Sequence, residues 1–109
     1  MFTEVNQYQN VTDGGIVLIS STQSSVGLEN RIINRVLITN TDTETITFQL
    51  FLYNASGVPT TVYILKDVPI NVGETLDLFP DRSFSYDAYY ALRAVTGTGH
   101  TADILMNYQ

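Results

Sequence analysis

Residues 34–53 read NRVLITNTDTETITFQLFLY, two β-rich runs flanking the polar loop 40–44. After the loop Ile46, Phe48, Leu50 and Leu52 alternate with Thr45, Thr47 and Gln49. A period of two places the first set on one face of a strand and the second on the other. Ahead of the loop Ile32, Val36 and Ile38 alternate with Asn34 and polar or larger neighbours. Two such runs joined by a short polar loop predict an antiparallel hairpin. Phe51 and Tyr53 make the polar face of the second run partly apolar. A strand apolar on both faces predicts that a loop or another subunit covers the second one, a subunit being favoured in so small a chain.

Residues 16–21 predict the first strand, opened by the apolar run 16–19, and 20–27 a small, polar loop. Residues 54–59 turn the chain with Gly57 and Pro59. Residues 60–66 are β-branched and aromatic, so they predict a strand. Pro69 has no N–H and fits an edge or a connection. Residues 74–79 predict a short strand with Leu76 and Leu78 on one face, and 80–87 a loop carrying Phe84 and Tyr86. Residues 88–95 carry helix formers, but their length and neighbours favour a strand with Leu92 inward and Arg93 outward. Residues 97–99 (GTG) predict a hairpin turn before a last strand over 101–108, where Ala102, Ile104, Met106 and Tyr108 share a face. The expectation is an all-β domain over residues 16–109, an antiparallel β-sandwich of about seven strands, immunoglobulin-like or jelly-roll-like. Residues 1–15 show no clean period and are expected to extend as an N-terminal arm, loose in isolation, with the alternative that it orders on a neighbouring subunit through Phe2 and Tyr8.

The totals narrow the function. At 109 residues the chain makes one domain, and such a chain buries roughly two-thirds of its unfolded surface. It has no Cys, which removes disulfides and thiolate metal sites. The net charge is −6, and Arg31, Arg35, Lys66, Arg82 and Arg93 are scattered. Nucleic-acid backbones and anionic membranes call for clustered positive charge, so neither is expected as a partner. The first residues lack a basic segment followed by an apolar run, so no secretory leader is expected.

Candidate chemistry is sparse. His100, the one histidine, lies in a turn with no nucleophile motif to pair with and is expected to be solvated. The carboxylates are spread; Asp42 and Glu44 share a tight loop, and the loop from Asp81 to Asp87 is the best cation candidate. No cofactor, metal or catalytic set is expected, and the chain is not read as an enzyme. Tyr86, Tyr89 and Tyr90 offer an alternative, a sugar-stacking platform, though no Trp is present.

The order of motifs, VLITNTDTETITFQLFL (36–52), YILKDVPINVGETLDL (63–78), YYALRAV (89–95) and ILMNY (104–108), resembles small β-sandwich virion structural proteins of tailed bacteriophages. The resemblance covers residues 16–109. It implies a capsid decoration (cement) protein, made in the host cytoplasm and located in the virion, that adds buried area between shell subunits. Partners would be the major capsid protein or another virion protein, and further copies of itself, a trimer being favoured. A neck, tail or baseplate component is the nearest alternative. Contact residues expected on this reading are Phe2, Tyr8, Phe51, Tyr53, Phe84 and Tyr86.

Overall fold

A computed structural model describes residues 4–21, 30–55 and 59–109. Phe2, most of the expected loop 20–27 and part of the expected turn 54–59 lie outside the described residues. Nine strands are described: β1 (Val5–Thr12), β2 (Ile16–Ile19), β3 (Asn30–Asn40), β4 (Ile46–Asn54), β5 (Thr60–Ile70), β6 (Thr75–Asp77), β7 (Phe84–Asp87), β8 (Ala91–Thr96) and β9 (Thr101–Tyr108). They form two antiparallel sheets, so the expected all-β sandwich is what the chain adopts.

The first sheet runs β1-β9-β3-β6, with β7 sharing the outer edge of β3 with β6; the second runs β2-β8-β4-β5. This order has a simple origin. Strands β1 to β4 run out and pair in turn with the returning strands β9, β8, β6 with β7, and β5. A long two-stranded ribbon folded over on itself gives this arrangement, which is a jelly roll rather than an immunoglobulin-like order.

The core follows the alternation. Ile46, Phe48, Leu50 and Leu52 of β4 face Val36 and Ile38 of β3 and Ala102, Ile104 and Met106 of β9 across the two sheets, all buried. In β3 a bulge between Ile33 and Arg35 shifts the alternation, so Ile33 rather than Ile32 enters the core.

Several expectations are corrected. Strands β3 and β4 are not a hairpin: they lie in different sheets, and loop 41–45 arches between them. Periodicity had identified their apolar faces, and those faces meet across the core instead of lying side by side. Residues 97–99 likewise join β8 and β9 across the sandwich, not within a sheet. A Cβ on Gly97 would stand 2.7 Å from Thr47 Oγ1, so a larger residue at this crossing would have to turn the Thr47 side chain aside. Residues 5–12 are not an arm but the edge strand β1, with Val11 fully buried. Residues 84–87, expected as loop, pair with residues 30–33 of β3. β5 extends to Ile70 through Pro69, which is tolerated because β5 is an edge strand.

Candidate interaction surface

The second sheet presents a cross-strand row on its outer face. Val17, Arg93, Phe51 and Tyr63 lie opposite one another on β2, β8, β4 and β5. Leu18, Leu50, Leu52, Leu92 and Ala94, the buried neighbours of Val17, Phe51 and Arg93, point into the core, so alternation sends those three outward, and pairing with Phe51 sets Tyr63 beside them. The Phe51 and Tyr63 ring centroids are 5.7 Å apart and tilted by 53°. The Arg93 guanidinium carbon sits 4.4 Å from the Tyr53 ring centroid, and Lys66 Nζ 5.1 Å from that of Tyr63. Each such contact contributes about 0.5–1 kcal/mol at a partly exposed site.

Arg93 divides this face into two grooves. One, of about 360 Å³, is lined by Ile16, Val17, Gln49, Phe51 and Arg93. The other, of about 460 Å³, is lined by Ser21, Tyr53, Asn54, Tyr89 and Arg93. Among the described residues no carboxylate pairs with Arg93, and its Nε is buried without a hydrogen-bond partner. Gln49 Nε2 donates to Asp67 Oδ1 at 2.6 Å, fixing the bulge where Lys66 and Asp67 oppose one residue of β4. The result is an aromatic face carrying a cation, on a protein whose net charge is negative.

The outer face of the first sheet is more polar. Tyr8, Leu105 and Leu37 form one apolar row across β1, β9 and β3 beside a groove of about 510 Å³. Tyr8 is 71% exposed. Around it Asn10 Nδ2 donates to Thr101 Oγ1 at 2.8 Å and Asp103 Oδ1 at 3.1 Å.

The expected contact residues therefore do not form one site. Tyr8 lies on the outer face of one sheet and Phe51 and Tyr53 on the outer face of the other. Phe84 and Tyr86 are withdrawn from the surface: Phe84 stacks on Phe79 at 5.4 Å and on Tyr86 at 6.2 Å, and Tyr86 is buried. Alternate positions on β7 point both rings inward. Burial pushes the Tyr86 phenol up to about 12, opposed by nearby Arg31. With Tyr86 buried and Tyr90 packed on the core, only Tyr89 of the tyrosine platform lines a groove. Tyr63 and Val17 were missed; pairing with Phe51 places Tyr63, and alternation carries no information about pairing.

One end of the sandwich gathers the loops 12–15, 40–45, 71–74 and 96–100, and its polar groups are engaged with one another. Asn40, buried, donates from Nδ2 to Glu44 O at 2.8 Å and Ile70 O at 2.9 Å, and its Oδ1 accepts from Asp42 N at 2.8 Å. Asp42 accepts from Thr43 N at 2.6 Å, and its Oδ2 lies 3.2 Å from both His100 Nδ1 and Thr101 N. The Thr43 amide holds the Asp42 carboxyl below its ordinary value against the opposing effect of burial, with His100 and Thr101 assisting. His100 is thus not a solvated turn residue but a tie between two loops, and Asp42 is its ring's hydrogen-bond partner among the described residues. Asp13 accepts from Gly99 N at 2.8 Å and Glu74 from Asn71 N at 3.1 Å. Asp87, in the expected cation loop, accepts from Tyr89 N at 2.9 Å. No group of three or more potential metal ligands converges among the described residues.

The chain matches no protein-family model, no curated protein and no solved structure.

Proposed function

We propose that this chain is a virion structural protein of a tailed phage, a capsid decoration protein that works through protein–protein contacts. The observation that carries the reading is the outer face of the second sheet, where Val17, Phe51 and Tyr53 flank Arg93 and Tyr63 packs on Phe51. Aromatic residues and arginine are the residue types that anchor protein interfaces. A jelly roll is compatible with such a role, being used by viral shells, although lectins use it too. On this reading the face seats on the major capsid protein, with Arg93 meeting a carboxylate there. The motif order over residues 36–108 supports the phage assignment.

The test is sedimentation of the protein with gradient-purified shells and tails from the source that encodes it. Shell binding is expected, and Phe51→Ser with Tyr53→Ser should weaken it by about thirtyfold, the loss of one strong anchor of about 2 kcal/mol. Unfolding temperature should fall by several degrees with the loss of the two ring contacts, about 1–2 kcal/mol, while the core and the fold stay in place. Binding to tails alone would move the assignment to a neck, tail or baseplate component. Absence from both would overturn it, and glycan binding lost on Tyr89→Ala would replace it with a sugar-binding role.

A further inference from the structure

Strand β1 pairs with β9 along its whole length, from Val5 opposite Tyr108 to Thr12 opposite Thr101, without a bulge. Among the described residues no strand lies on its other edge. The other outer strands are blunted. β5 carries two register shifts, Pro69 and Asp67 at φ 50°, and β2, β6 and β7 have four residues or fewer. These are the usual devices against edge-to-edge pairing. β1 has none: VNQYQNVT contains no Pro, Gly or charge.

Residues 5–11 of β1, VNQYQNV, read the same in both directions about Tyr8. We infer that β1 is a dimerisation edge, pairing antiparallel with β1 of a second copy about a two-fold axis through Tyr8. In that register each side chain meets its own kind: Tyr8 meets Tyr8 of the partner subunit and Val5 meets Val11 of the partner subunit. Asn6 meets Asn10 of the partner subunit, and their remaining hydrogen-bonding groups are complementary. Asn6 Oδ1 already accepts from Asn107 Nδ2 at 2.8 Å, which leaves its Nδ2 as donor. Asn10 Nδ2 already donates to Thr101 and Asp103, which leaves its Oδ1 as acceptor. The two-fold supplies this pair twice. Tyr8, at 71% exposed, extends the apolar row of Leu37 and Leu105 across the axis to its copy. An isologous contact closes at two subunits, in place of the trimer that the phage resemblance implies. The inference does not depend on the virion reading, which uses the opposite sheet.

The full chain should be a dimer by light scattering at high micromolar concentration and dissociate on dilution. Tyr8→Lys places like charges directly opposite each other and should weaken association tenfold or more while leaving the fold intact. Mixing Tyr8→Lys protein with Tyr8→Glu protein should restore dimers. The native chain has no cysteine, so Tyr8→Cys should give a disulfide-linked dimer under mild oxidation. Thr12→Cys should not, because the two positions would stand roughly 27 Å apart, eight residues of strand. A monomer at every concentration, an oligomer unaffected by Tyr8→Lys, or equal cross-linking at both positions would overturn the inference.

Discussion

The buried amide of Asn40 reaches two carbonyls, Glu44 O in the loop after β3 and Ile70 O at the end of β5. Asn40→Ala leaves those buried acceptors and the Asp42 amide without their partner. The expected loss is about 2–3 kcal/mol, measurable as a lowered urea midpoint with an unchanged slope. Tyr86 poses the reverse case. Its hydroxyl is buried with no hydrogen-bond partner among the described residues, so Tyr86→Phe should be neutral or stabilising by up to about 1 kcal/mol. Its folded value, about 12, lies above the ordinary 10. The unfolded chain therefore ionises first, and stability is expected to fall as pH rises from 10 towards 12. Tyr86→Phe should reduce that alkaline loss, read as the difference in urea midpoints at neutral and alkaline pH. Neither role was legible in the sequence. Asn40 stood out only as a loop residue, and its partner Ile70 lies thirty residues away. Tyr86 was placed on the surface because the Pro80 to Ser83 stretch suggested a loop that in fact ends before Phe84.

At the scale of elements, periodicity identified the faces of strands but not their neighbours. Ile46, Phe48, Leu50 and Leu52 fill the core as their alternation required. The partner of β4 on one side is β8, some forty residues on, and a period of two carries no information about that. β1 was illegible for a different reason. Apart from Val11, its inward positions are Gln7, Gln9 and the partly exposed Val5, so its alternation is weak. What holds it is its ladder with β9 and a side-chain bond from Gln7 Nε2 to Leu18 O at 2.9 Å, which spans the two sheets. Deleting residues 1–15 should therefore unfold or strongly destabilise the sandwich, because it uncovers β9 and opens the core at Val11. Thermal unfolding followed by circular dichroism separates this from the loss of a dispensable arm, which would leave the midpoint unchanged.

Across the whole molecule the loop end is tied by Asn40, Asp42, Asp13 and Glu74, each accepting from or donating to the backbone of a loop. The Asp42 contribution is set by a lowered carboxyl value, so it is present above the ordinary 3.8 and is lost as pH falls through the folded value. Asp42→Asn should be less stable than the native chain at neutral pH, and the gap in urea midpoint should narrow as the pH falls below 3.8. The folded-over ribbon also bears on how the protein is made. Among the described strands only β4 and β5 are both consecutive and paired, so they can join while the chain is still emerging from the ribosome. The ribbon then closes outward from that hairpin. β1, synthesised first, waits for β9 before it has a partner. Throughout translation its uncharged, self-complementary sequence has both edges open. Crowded polysomes would thus bring nascent copies of β1 together before either has a sheet to join.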